Sequence, residues 1–246
     1  MTSPLKPLTA AARGVVALIV AALLWELIAR RIGSERLVPD VLSVIRAIVR
    51  AFSSETFWEH VAATLRRLGA GYTAAAVVGI PVGLALGRVG ALRLALGALV
   101  SGLASSPLVI LAPLTTLWLG VGDGSKVLLA FISAVFPLMG SIMDGLAQAQ
   151  PHMSGEMPRA SAPERSSEMA RCIVAGLRAA LIPAIGAVVI AEMIGSVSGL
   201  GLLMMNATAA LDVPTIVAVF LVVALPGIVA ASILRSIEAS LAHEST

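Results

Sequence analysis

Six apolar stretches, each close to the length a helix needs to cross a bilayer, constrain this chain more than any other feature. They run approximately Gly14–Ala29, Leu68–Leu86, Leu92–Trp118, Val127–Met143, Cys172–Ile194 and Val213–Leu234. A helix rises 1.5 Å per residue, so about 20 residues cover ~30 Å of hydrocarbon. The stretches are continuous rather than alternating, which argues against a membrane β-barrel. Of the 246 residues, 58% are hydrophobic and 13% charged. A soluble domain carries roughly 25% charged residues, so too little polar surface remains to cover a water-soluble globule. The same balance excludes intrinsic disorder, and a single cysteine, Cys172, excludes a disulfide scaffold. The expected class is an all-α polytopic membrane protein with six transmembrane helices, near residues 14–30, 65–87, 91–119, 126–145, 172–195 and 213–235.

A net charge of +3 does not point to nucleic acid. The arginines stand singly or in pairs at the ends of apolar runs, as membrane flanks do, with no basic patch interleaved with aromatics and no metal-ligand spacing. Lys6 and Arg13 ahead of Gly14–Leu24 resemble a signal peptide. The apolar run continues through Trp25–Ala29 to Arg30-Arg31 with no small-x-small site after it, so a retained first helix is expected, with Glu26 placed to pair with Arg30 at i+4.

Pro107 and Pro113 predict one kinked helix in the third stretch, and Pro81, Pro137, Pro183 and Pro226 predict bends in four others. Pro39-Asp40 opens a segment in which Val41, Leu42, Ile45, Ile48, Val49 and Phe52 recur at helical spacing, opposite Arg46 and Arg50. This predicts an amphipathic helix on the membrane surface or on the bundle. Trp58 and Arg66-Arg67 read as interfacial anchors. Lys and Arg divide evenly between the two sides, so charge alone does not orient the chain.

Specific phrases follow in order: Val38-Pro39-Asp40-Val41, Trp58 to Thr64-Leu65-Arg66-Arg67, Gly79-Ile80-Pro81-Val82-Gly83, Ala112-Pro113-Leu114, and Leu117-Trp118-Leu119-Gly120-Val121-Gly122-Asp123-Gly124-Ser125-Lys126. Gly176-Leu177-Arg178, Ala191-Glu192-Met193-Ile194-Gly195 and Ser198-Gly199-Leu200-Gly201 complete the set. Together they resemble the permease subunits of bacterial ABC importers of the nitrate, sulfonate and taurine group. The resemblance covers nearly the whole chain. It implies a single permease domain of MetI-like fold in the inner membrane, both termini in the cytoplasm, and a cytoplasmic loop near residues 145–171 that docks on an ATPase. It also implies two permease copies as a homodimer, an extracytoplasmic binding protein, a small anionic solute as cargo, and no cofactor or catalytic site of the chain's own. No G-x-x-x-x-G-K-[ST] phrase occurs, so ATP is assigned to the partner.

Within the loop, His152, Met153, Gly155, Glu156, Met157, Arg159, Ser161 and Ala162 are the candidate coupling residues. Gly155 stands where the family has Glu and Ser161 where it has Gly, and an alternative signature is Glu168-Met169-Ala170-Arg171. Met153 and Met157 suit an adaptable groove contact.

The candidate translocation path comprises Ser105, Ser106, Pro107, Thr115, Thr116, Glu192 and Asn206. Kinks and hydroxyls can line a polar cavity, although Ser and Thr hydroxyls also bond back to their own helix. Glu192 is an ionisable group near the end of an apolar run: either part of a cavity or gate, or a structural pair near the interface. No Arg or Lys is expected deep inside a window, which leaves selection to the binding protein. The competing readings are a secondary carrier, which would need internal repeats and intramembrane charges, and an uncoupled permease-like scaffold.

Overall fold

The computed structural model describes residues 5–34, 37–149 and 162–243, and their regular structure is entirely helical. The elements are α1 (Leu5–Ile32), α2 (Val41–Phe52), α3 (Glu55–Arg88), α4 (Gly90–Ala104), a 3-10 turn (Leu108–Leu111), α5 (Ala112–Leu119), α6 (Asp123–Ala149), α7 (Ala162–Ile194), α8 (Leu200–Ala209) and α9 (Val213–His243). Among the described residues four helices are long and apolar enough to span a membrane, α3, α6, α7 and α9, and α4 with α5 makes a fifth if that bent pair is one span. Large apolar side chains stand outward along them, including Leu94, Leu117 and Val77. Such a surface suits lipid rather than water.

The contacts divide the chain into two compact units, one of Met1–Trp58 with Leu203–Leu221, the other of Glu59–Leu202 with Val222–Thr246. In the first, the turn between α1 and α2 is built on polar contacts. Trp25 Nε1 donates to the Pro39 carbonyl at 2.8 Å. Glu26 accepts from Arg30 Nε at 2.7 Å and from the Val41 amide at 3.1 Å. Asp40 caps α2 by accepting from the Ser43 amide at 2.7 Å. The Ser43 hydroxyl and amide hold the Asp40 carboxyl below the usual carboxylate range. Trp58, read from the sequence as an anchor, stands in an aromatic corner with Phe52 and Phe57, ring centroids 5.2 and 5.6 Å away, and donates to the Phe52 carbonyl.

In the second unit α6 is central: 56% of its apolar window is buried, against 33% for α7 and 22% for α3. Ala134, Leu138, Ile142 and Leu146 of α6 and Cys172, Ala180 and Ala184 of α7 form one core with Ala75 and Leu86 of α3. Small residues allow this approach. A side chain at Gly71 would meet Ala130 and the Val127 carbonyl of α6. Tyr72 Oη donates across to the Leu177 carbonyl at 2.7 Å, tying α3 to α7.

The helices depart from the sequence expectations in the third stretch. The third stretch is not one kinked helix: α4 ends at Ala104, and α4 and the Leu108–Leu119 segment are bent by 80°. Pro107 has no amide to continue α4 and disfavours helical geometry at Ser106, whereas Pro113 falls in the first turn of α5, where its ring costs no hydrogen bond. The polar segment near residues 145–171 is helical where it is described. Residues 145–149 belong to α6, and 162–171 belong to α7, both built largely of good helix formers. His152, Met153, Gly155, Glu156, Met157, Arg159 and Ser161 lie outside the described residues, and Ala162 is the first residue of α7.

Candidate functional site

Two features of the second unit bear on function. The first is a cavity of about 230 Å3 beside the helix break, lined by Ser106, Pro107, Ser133, Pro137, Pro183 and Gly186 among others. Several backbone groups at the break are served locally. The Ser105 and Ser106 amides donate to the carbonyls of Ser101 and Leu103, at 3.1 and 3.2 Å, and Ile110 N–H donates to Pro107 O at 3.1 Å. The Ser105 and Ser106 hydroxyls donate to Ser101 O and Gly102 O at 2.9 and 2.7 Å, the second serving a carbonyl left over at the end of α4. Ser133 differs. Its hydroxyl is the buried side-chain oxygen without a hydrogen-bond partner among the described residues. Pro137, four residues on, removes the amide that would serve the Ser133 carbonyl in a regular helix. A buried hydroxyl without a partner costs roughly 1–3 kcal/mol, so the cavity holds an unused donor.

The sequence-predicted residues separate here. Ser106 and Pro107 line the cavity. Ser105 is exposed and outside it, Thr115 is buried, and Thr116 is half-buried. Both threonines donate to the Ala112 carbonyl at 3.0 Å, so their hydroxyls are spent on their own helix. Asn206 is exposed on α8, within the first unit. Ser133 and the α7 contribution were not legible from the sequence, because nothing in α6 or α7 alone marks the face that borders the break.

The second feature is an ion cluster built around the buried Glu192. This side chain does not line the cavity. It is fully buried and pairs with Arg67, itself 3% exposed, at 2.7 Å. The Arg67 guanidinium uses all its donor positions. Nε and Nη2 reach Asp123 at 2.7 Å, Nη1 reaches Glu192 and the Ser198 carbonyl at 2.7 Å, and Nη2 also reaches Ser198 Oγ at 2.9 Å. Glu192 further accepts from the Thr64 hydroxyl at 2.9 Å and the Gly201 amide at 3.0 Å. Thr64 accepts in turn from Leu200 N–H, and His60 Nδ1 accepts from Gly199 N–H, both at 2.8 Å. Lys126, fully buried, neighbours these charges and donates to the Val121 carbonyl at 2.5 Å. Two cations and two carboxylates balance. Arg67 is therefore no interfacial anchor, and buried cations do exist near the ends of the windows: each is paired or hydrogen-bonded, which is the condition under which charge survives burial.

The cluster joins the phrases on which the sequence resemblance rests. Thr64 and Arg67 come from one, Asp123 and Lys126 from another, Glu192 from a third, and Ser198 with Gly201 from a fourth. Known proteins give the same reading. A model of the family described as binding-protein-dependent transport system inner membrane component matches residues 168–243. A probable ABC transporter permease protein of Haemophilus influenzae is 30% identical over 185 residues, covering 69% of this chain and 72% of that protein. The chain belongs to this family of ABC importer permeases. The taurine transport system permease protein of Escherichia coli is 26% identical to this permease, over 82% of the chain and 78% of that protein. The formylaminopyrimidine transport permease protein of Halalkalibacterium halodurans is 25% identical, over 87% and 88%. In this permease the family phrases tie the ends of α3, α6 and α7 to the Ser196–Gly201 turn.

Proposed function

We propose that the chain is the membrane-spanning subunit that forms the translocation path of an ABC importer for a small anionic solute of the sulfonate, taurine or nitrate class. A binding protein delivers the solute outside, and a separate ATPase drives the cycle from the cytoplasm. Two copies of the permease complete the path as a homodimer. Both termini are cytoplasmic, α1 is the sixth span, and the segment centred on residues 150–161, with His152, Glu156 and Arg159, couples to the ATPase. The observation that carries this reading is the cavity at the α4–α5 break, where the unpartnered Ser133 hydroxyl stands beside the helix interruption at Ser106 and Pro107. Irregular backbone is tolerated at membrane depth where it is packed in protein or lines such a space. A neutral hydroxyl donor offers an anion a weak, leaving-competent site, which suits passage better than retention. Ser105, Thr115, Thr116 and Asn206 are supporting positions around the path rather than contacts to the solute. The Arg67–Glu192 cluster anchors the turn after α7, so that this end of the bundle moves as one body.

Gly186 supplies the test. It lines the cavity, and a side chain added there meets nothing within 4 Å. Gly186→Leu should therefore fold and fill the space. In membranes that contain ATPase and binding protein, uptake should fall by about tenfold or more, with normal amounts of assembled complex, and Gly186→Ala should fall in between. Wild-type uptake by a folded Gly186→Leu protein would remove the cavity from the path.

A further inference from the structure

A second cavity, of about 410 Å3, lies where α6, α7 and α9 meet, near the end of α6 and the start of α7. Its lining is cationic. Arg171 and Arg178 stand on one face of α7, seven residues apart, and Arg235 faces them from α9, with Glu238 as the carboxylate among the lining residues. Glu238 accepts from Arg178 Nε at 2.9 Å, and both side chains are partly exposed, at 26% and 38%. That leaves Arg171 and Arg235 without an ion pair among the described residues. Glu168, one turn ahead of Arg171, is near Cys172 but outside the lining. Among the described lining residues three arginines face one carboxylate. The floor is made of small residues. Gly145 lets Cys172 approach so closely that a side chain at 145 would collide with its sulfur, and Ala175 and Ala239 complete the surface.

Guanidinium groups around a small-residue floor match a tetrahedral oxyanion. Each presents a planar fork of donors that pairs with phosphate oxygens in bidentate fashion. The volume lies within the range of ligand sites. Basic pockets between membrane helices, open toward a leaflet of anionic lipid, take phosphate headgroups by the same chemistry.

We propose that this cavity is a phosphate-binding site, in which Arg171 and Arg235 hold the oxyanion while Glu238 occupies Arg178 and competes with the anion for it. The site is separate from the cavity at the helix break, and its test reads binding rather than uptake, so it stands or falls independently of the transport reading. On the orientation proposed above it lies at the cytoplasmic end, beside the coupling segment, where an occupied site ties the ends of α7 and α9 together.

The experiment uses the full chain in nanodiscs of phosphatidylcholine, with and without phosphatidylglycerol, and separately with inorganic phosphate against sodium chloride of equal ionic strength. The midpoint of thermal unfolding is followed as the probe is titrated. Wild-type protein should show a saturable rise with one of the two probes. A response to phosphatidylglycerol alone identifies a lipid headgroup, and a response to inorganic phosphate in plain phosphatidylcholine identifies a soluble anion. Arg171→Gln with Arg235→Gln should weaken the apparent affinity by about tenfold or more, the scale expected when two charge-assisted contacts are lost. The Lys/Lys pair at the same positions should retain most of it, and Glu238→Gln should bind more tightly. Arg46→Gln, on α2, should respond as wild type. If the Gln/Gln protein does not fold, the Glu238→Gln comparison decides. Equal responses in wild type and variants, or a rise reproduced by sodium chloride, would overturn the proposal.

Discussion

Replacing Arg67 with methionine should destabilise the protein by about 3–5 kcal/mol, and replacing Glu192 as well should restore much of that loss. The effect is one of charge balance around a buried pair, since the Asp123 side chain is 56% exposed and solvated while Arg67 and Glu192 are not. Arg67 and Glu192 are 3% and 0% exposed and 2.7 Å apart. Removing the arginine leaves Glu192 and Asp123 against Lys126 alone, with Glu192 unable to reach water. Its remaining partners are the Thr64 hydroxyl and the Gly201 amide, which do not neutralise it. Removing both members returns the cluster to one cation and one carboxylate. The recovery should be incomplete, because the Ser198 carbonyl and the Gly201 amide lose charged partners. Reversible unfolding in mixed micelles measures both variants. A double variant no more stable than Arg67→Met would contradict the reading of this pair as a neutralised buried ion pair.

Alanine at Gly199 should be nearly as damaging, although it adds only a methyl group. Gly199 has φ +119°, a conformation that side chains rarely adopt, and an added Cβ would run into the Glu192 carboxylate. The backbone strain costs about 1–3 kcal/mol. Displacing the carboxylate from its bonds adds an overpacking cost of about 1–3 kcal/mol. Gly201→Ala should behave alike for a different reason: its Cβ would collide with the Val189 carbonyl, which is helix backbone and cannot rotate away. Gly69 and Gly102 are controls. Nothing lies within 4 Å of a Cβ at either position, and alanine there should be neutral or slightly stabilising, since glycine is a poor helix residue. Equal stability of Gly199→Ala and Gly102→Ala would show that the turn is not built as described.

Much of the architecture is legible in the chain because it depends on near neighbours. Apolar length gives the four long apolar helices α3, α6, α7 and α9, periodicity with Asp40 gives α2, and Glu26 with Arg30 pairs one turn apart. The rest depends on contacts that local pattern does not encode. Arg66 and Arg67 read as twins, but a helix turns about 100° between them: Arg66 is exposed and Arg67 is buried. The partners of Arg67 stand 56 and 125 residues away. Pro107 and Pro113 look equivalent in an apolar run, yet one ends a helix and the other begins one. Ser133 carries no signal at all until α4 is known to break beside it. For Glu192 the sequence correctly marks an unusual charge and leaves open which of two roles it has. In the folded chain both of its carboxylate oxygens accept internal hydrogen bonds.

The central claim is that this permease moves solute only when a separate ATPase drives it. Purified permease reconstituted into proteoliposomes, alone and together with its ATPase and binding protein, tests that claim most directly. Labelled solute should accumulate against its gradient only in the complete system with ATP inside reach of the ATPase, and the permease alone should show none. Uphill accumulation by the permease alone would contradict the account.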